Sequence, residues 1–109
     1  MAKRSLGELE FIVLAIASRL GKDAYGAAIR RDVIAETRRD YSIGAIYSSL
    51  RRLEDKRFLE SFESDPLPIR GGRSRRQFVL TAAGRAELRR TMEAKRRFWQ
   101  RLMLAARPR

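Results

Sequence analysis

Residues 42–56 read S-I-G-A-I-Y-S-S-L-R-R-L-E-D-K, from Ser42 to Lys56, and the fold turns on how this stretch wraps into a helix. At about 100° per residue, Ile43, Ile46, Leu50 and Leu53 fall on one stripe, while Gly44, Ser48, Arg52 and Asp55 fall roughly opposite. A helix that only filled space would carry Glu, Lys or Ala outward, because those residues favour helix formation and solubility. Gly44, Ser48 and Ser49 do neither. Small residues near a helix N-terminus let its backbone approach another surface, and the unpaired N–H groups there attract phosphate oxygens. The stretch therefore reads as a recognition helix that enters a DNA groove by its N-terminal half. The alternative is a core helix with a thin polar side.

Upstream, Arg39-Asp40-Tyr41 forms a short turn with Ser42 as the N-cap of the helix that follows. Before it, Ala24, Tyr25, Ala28, Ile29 and Val33 recur at three- and four-residue spacings, which predicts a helix from residue 23 or 24 to about residue 38. Gly26, Ala27 and Ala28 are small enough for another helix to lie close. Helix, short turn and helix make a helix-turn-helix. Earlier still, Ser5-Leu6-Gly7-Glu8 has the form of a capping box with Ser5 at the N-cap. The helix it opens reaches Leu20 and ends at Gly21. Its stripe of Leu9, Ile12, Val13 and Ile16 is widened by Phe11 and Leu14, so it must be covered on more than one side.

Downstream the period changes. Residues 58–64 and 75–80 read as two strands, with Phe78 and Leu80 facing one way and Gln77 and Val79 the other. Prolines and glycines mark residues 65–72 as the loop between them. The fold class is thus mainly α with a β-hairpin, a winged helix-turn-helix. Arg70, Arg73, Arg75 and Arg76 crowd the wing tip, where they suit a phosphate backbone or a minor groove; a solvated loop is the alternative.

Thr81 caps a last helix over residues 82–105. Leu88, Met92, Lys95, Trp99 and Leu102 recur at spacings of four, three, four and three, flanked by Phe98 and Met103. A helix of this length spans about 36 Å at ~1.5 Å per residue, more than so small a core can cover. A second copy of the chain is the economical partner, and a twofold dimer would offer recognition helices to successive major grooves. The competing arrangement folds Trp99 back onto the first helix. The organisation expected is a winged helix-turn-helix over residues 1–80 and a dimerisation helix over 81–109, joined as one unit.

Composition limits the function. The 109 residues are 44% hydrophobic and 35% charged, as in a folded chain, and contain neither cysteine nor histidine. Thiol nucleophiles, zinc sites and imidazole acid–base chemistry drop out together, so no enzyme activity, cofactor or metal is expected. No apolar run approaches the ~20 residues of a membrane span, and the start M-A-K-R-S-L-G-E-L-E lacks a signal-peptide core. A cytoplasmic protein with no membrane partner is the expectation. The net charge of +12 is unevenly spread: residues 1–69 balance to +1, residues 70–109 to +11. Such a concentrated basic region suits a polyanion, since each neutralised phosphate releases counterions.

L-G-E-L-E at residues 6–10, Y-G at 25–26, S-I-G-A-I-Y-S-S-L-R-R-L-E at 42–54 and G-R-S-R-R-Q-F-V-L-T-A-A-G at 72–84 occur in this order. Taken together they resemble the PadR family of bacterial transcriptional regulators, in its short form with a single C-terminal helix, over almost the whole chain. The resemblance implies a homodimeric winged helix-turn-helix repressor of double-stranded DNA. It puts Ser42, Gly44 and Tyr47 at the DNA surface, with Tyr25, Arg73, Arg75 and Arg76 supporting backbone contacts. Ala45 stands where threonine is common and Ser48 where proline is common, so these two positions alter which base edges or phosphates are reached. After Gly26, A-A-I-R replaces the more usual aromatic-glutamate-leucine pattern.

Tyr47, close to the apolar stripe, can bury its ring and still offer its hydroxyl to DNA. Arg51 and Arg52 have Glu54 and Asp55 within reach on the helix, and Arg52 lies nearer the outward face. Trp99 has two readings: filling the dimer core, or pairing with its symmetry mate around a small aromatic effector of the kind the resemblance implies. Leu88, Met92, Lys95, Phe98, Trp99, Leu102 and Met103 are the candidate residues for dimerisation or an effector pocket. Competing functions are a nonspecific nucleic-acid-binding module and a winged helix used for protein interaction, since a fold does not fix a function.

Overall fold

The computed structural model describes residues 5–63 and 75–106. These form helix α1 (Glu8–Leu20), a single 3₁₀ turn (Gly21–Asp23), helices α2 (Gly26–Thr37) and α3 (Ile43–Asp55), strands β1 (Leu59–Glu63) and β2 (Arg76–Leu80), and helix α4 (Ala82–Ala105). The order is that of a winged helix followed by one long helix.

The helix ends follow from local chemistry. Gly7, rather than Ser5, is the N-cap of α1, and its N–H donates to Glu10 Oε1 at 2.7 Å. The closing carboxylate is therefore Glu10 and not Glu8, and Glu10 is also the acid reached by Lys56 at the C-cap of α3. Gly21 ends α1 at φ +58°, donating its N–H to the Ala17 carbonyl. Helix α2 starts at Gly26, two or three residues later than the pattern predicts, because the 3₁₀ turn and an extended Tyr25 intervene. It stops at Arg38, which takes a left-handed φ of +57° with its N–H on the Ile34 carbonyl. The turn into α3 is held by Arg30, whose Nε donates to the Tyr41 carbonyl at 2.9 Å and whose Nη2 meets Asp40 at 3.3 Å. Ser42 then caps α3, its Oγ accepting from the Ala45 N–H at 3.0 Å, as expected. Thr81 caps α4 in the same way through the Gly84 N–H at 2.9 Å.

The core is built where these elements meet. Val13, Leu14, Ile16 and Ala17 of α1, Ile29 and Val33 of α2, and Ile46, Leu50 and Leu53 of α3 are buried with Phe58, Leu59, Phe78 and Leu80 of the hairpin region. As its wide apolar stripe requires, α1 packs against α2, α3, α4 and β2. Strands β1 and β2 pair antiparallel from Leu59–Leu80 to Glu63–Arg76, with Phe78 inward and Val79 outward. Backbone pairing extends past the hairpin: Tyr25 bridges Gln77, and the Phe78 N–H donates to the Ala24 carbonyl at 2.9 Å. The base of the wing is thereby tied to the start of α2.

Helix α4 touches this core only with its first turns. Gly84 lies against the Phe58 backbone, where an added Cβ would fall 2.9 Å from the carbonyl carbon and closer still to the oxygen. Leu88, expected on the intersubunit seam, is buried in the protomer's own core. Beyond it the helix leaves the core, although Lys95 still reaches the Phe11 ring of α1. The Cα radius of gyration is 16.2 Å, against about 13 Å for a compact chain of ~100 residues. Among the described residues no helix is long and apolar enough to cross a membrane.

Candidate nucleic-acid interface

The N-terminal half of α3 faces away from the core, and its first turn is only partly satisfied from within. Ser42 accepts from the N–H groups of Ala45 and Ile46 through its hydroxyl and its carbonyl, leaving those of Ile43 and Gly44 directed ahead of the helix. Gly44 is exposed, and a Cβ added there would meet nothing nearer than Ser42 Oγ at 3.8 Å. Among the described residues nothing asks for glycine at this point, although glycine costs a helix roughly 1 kcal/mol relative to alanine. Ser42 and Ser48 are exposed beside it and Ala45 is half-buried. Ile43, expected in the buried stripe, is 46% exposed, because it stands in the first turn beyond the edge of α1. Ser49 corrects the small outward set in the opposite sense: it is fully buried and accepts from Arg52 Nη2 at 3.4 Å.

Two tyrosines meet where α2, α3 and the wing converge. Tyr47 projects from α3 across the first turn of α2, so close to Gly26 that a Cβ there would lie 2.7 Å from the Tyr47 Cζ. The Y-G pair at residues 25–26 is thus explained on its glycine side: the ring of Tyr47 occupies the room a side chain would need. Tyr47 remains 46% exposed. Tyr25 lies half-buried under Arg75, whose guanidinium carbon sits 3.8 Å from the ring centroid. Such stacking orients an arginine while leaving N–H groups at its rim.

The predicted basic residues divide by their partners. Arg75 and Arg76 are exposed at the start of β2; Arg73, with Arg70 and the loop at 65–72, lies outside the described residues. Arg76 Nη1 donates to Ser61 Oγ at 2.9 Å, and that hydroxyl donates to Glu54 Oε2 at 2.7 Å. Arg52 does not pair with Glu54 or Asp55. Its Nε stands 3.8 Å from Glu10 Oε2, so it leans along the side of α3 toward α1 while staying 56% exposed.

Glu10 is a residue that sequence reasoning missed as a site element. It is 6% exposed and takes Lys56 Nζ on both oxygens at 2.9 Å, and the same ammonium donates to the Ser5 carbonyl at 2.8 Å. Burial alone would raise its pKa. Hydrogen bonds from Lys56 and Gly7, with the charges of Lys56 and Arg52, more than offset this and hold it below the ordinary carboxyl value. The cluster bolts the last turn of α3 to the first turn of α1. The sequence signal was an acid at an apolar helix position, one turn before Val13 and Leu14.

At the other end of the molecule the apolar half of α4 lies open. Phe98 is 52%, Trp99 61% and Met103 66% exposed, with Met92, Leu102 and Leu104 similarly bare. Trp99 therefore does not fold back onto α1. Lys95 sits over the Phe11 ring at 4.9 Å. Arg96, Trp99, Gln100, Met103 and Leu104 line an open recess of about 580 Å³. Among the described residues no cluster of acidic side chains is placed to hold a metal ion.

The family model described as "Transcriptional regulator PadR-like family" matches residues 13–90. No curated protein matches the chain. Among solved structures, a PadR family transcription regulator from Clostridium difficile is 26% identical with a TM-score of 0.70, over 91% of this chain and 97% of that one. A PadR-like transcriptional regulator from Bacillus cereus is 19% identical with a TM-score of 0.77, over 93% of both. A PadR-like transcription factor from Bacteroides fragilis is 22% identical at 0.71, over 90% and 89%.

Proposed function

This chain belongs to the PadR-like family of transcriptional regulators, a family of regulators rather than enzymes, and on that premise we propose that it is a homodimeric, sequence-specific DNA-binding repressor. The observation that carries DNA recognition is Gly44: an exposed glycine in the first turn of an otherwise well-packed helix, with no contact among the described residues that requires it. A missing side chain there lets the α3 backbone approach a groove wall. Ser42, Gly44, Ala45, Tyr47 and Ser48 then face base edges and the nearest phosphates, while Tyr25, Arg52, Arg73 and Arg75 hold the backbone on either side.

Dimerisation is supported by the bare half of α4. Met92, Lys95, Phe98, Trp99, Leu102 and Met103 meet a second copy, whose own half-buried Phe11 and Ile12 supply apolar surface in return. Residues 1–80 then act as the DNA-binding body and residues 81–109 as the arm that spaces two such bodies. Repression follows from occupying promoter DNA in the bacterial cytoplasm. A small planar aromatic effector stacking on Trp99 in the open recess would release it by favouring a dimer geometry with a different spacing of the α3 helices.

Fluorescence anisotropy tests the proposal. The purified protein is titrated against its own upstream DNA and a shuffled duplex of equal length, at two salt concentrations. Preference for the upstream DNA by about a thousandfold is expected, the lower end of normal specificity ratios. Equal affinity for both, collapsing together as salt rises, would leave only the electrostatic term and refute sequence-specific recognition.

A further inference from the structure

Glu54 is the one carboxylate of α3 that turns toward the wing. It accepts from the Ser61 hydroxyl of β1 at 2.7 Å, and that hydroxyl accepts from Arg76 of β2 at 2.9 Å. The three side chains border a recess of about 270 Å³ between α3 and the hairpin, shared with Tyr47, Leu50, Arg51 and Phe78. A carboxylate on a DNA-facing helix repels phosphate, so its presence needs a compensating role. The Ser61 hydroxyl places its donor on Glu54 and its acceptor on Arg76, which turns Arg76 toward α3.

Resting on the DNA-binding proposal above, we propose that Glu54 and Arg76 are positioning residues that set the wing against the recognition helix, and that Arg76 makes no phosphate contact of its own. Arg75 and Arg76 are neighbours in sequence but alternate across the strand. Arg75 stacks on Tyr25 at the outer side, while Arg76 closes the chain Arg76–Ser61–Glu54 on the inner side. Through this chain α3 and β2 move as one body, so the distance between the major-groove reader and the wing is fixed before DNA arrives.

One of the two Glu54 variants is expected to carry the opposite sign from that of simple charge. Removing a carboxylate near DNA tightens binding if the charge is all that matters. Glu54→Gln removes the charge and keeps an oxygen for Ser61, so it should bind as the wild type or tighter. Glu54→Ala removes the same charge and the acceptor, and should weaken binding about fivefold to tenfold, the worth of one ordinary intramolecular hydrogen bond. Arg76→Ala should weaken binding without changing the slope of log affinity against log salt, whereas a lost phosphate contact lowers that slope by about 0.9. All three are titrated against an arbitrary 20-base-pair duplex and against the upstream DNA, with melting curves to verify folding. Equal tightening by both Glu54 variants, or an Arg76→Ala slope reduced by about 0.9, overturns the proposal. The Arg76 slope is read with Glu54 intact, so it decides the matter even if Glu54→Ala fails to fold. Loss of sequence preference in the wild type would instead strike the specificity proposal, since the arbitrary duplex still reports signs and slopes.

Discussion

Replacing Trp99 with alanine should convert the proposed dimer to monomer at working concentrations. Trp99 is 61% exposed on the protomer, and a tryptophan presents up to ~250 Å², so ~150 Å² is available for a partner to cover. Complete covering would contribute about 4 kcal/mol at ~25 cal/mol per Å². Half covering, with the alanine retaining some contact, leaves about 2 kcal/mol per protomer. The residue enters a twofold interface twice, so the dimer loses about 4 kcal/mol, or roughly a thousandfold in dissociation constant. Sedimentation velocity over a dilution series reads this directly. Folding of the protomer should be spared, because the indole lies beyond the core that ends at Leu88; circular dichroism checks that condition. An unchanged dimer would refute the use of this face, and an unchanged monomer in the wild type would refute dimerisation itself.

Gly84→Ala should destabilise the fold by about 2–3 kcal/mol, despite alanine's better helix propensity, because the new methyl meets Phe58 backbone rather than a movable side chain. A urea midpoint equal to or above that of the wild type would sink this account of how α4 docks. Glu10 makes a pH prediction. Its folded pKa is depressed, so its contribution is present above the unfolded value of about 4.5 and is lost as pH falls through the lower folded value. Glu10→Gln removes that dependence, and the stability gap between the two proteins should shrink steadily below pH 4.5; a gap independent of pH would contradict the ion pair with Lys56.

Local chemistry made much of the fold legible. The Ser42 and Thr81 caps, the Gly21 stop and the alternation of Phe78, Val79 and Leu80 all depend on residues within a few positions, and each stands as read. Where an element's end depends on a distant residue, local reading slipped. The α1 cap moved from Ser5 to Gly7 because Glu10 answers to Lys56, 46 residues away. The start of α2 moved because Tyr25 is drawn into pairing with Gln77.

The candidate site divides along the same line. The exposed small residues Ser42, Gly44 and Ser48 follow from the angle each takes on one helix, and the sequence determines that angle by itself. It also determined the charge asymmetry, a sum over consecutive residues, whereas the open setting of the apolar half of α4, with Trp99 exposed rather than folded back, came from the tertiary structure. Only the tertiary structure decided which arginines are committed. Arg52 goes to Glu10 on α1, Arg75 to the ring of Tyr25, and Arg76 to Ser61 and through it to Glu54. It also decided that Gly26 and Gly84 are glycines for contact, one beneath Tyr47 and one against Phe58. The physical reason is range: a helix fixes the direction of a side chain within a turn, but a long guanidinium or an absent Cβ acquires its meaning from whichever distant surface the fold brings within a few ångströms.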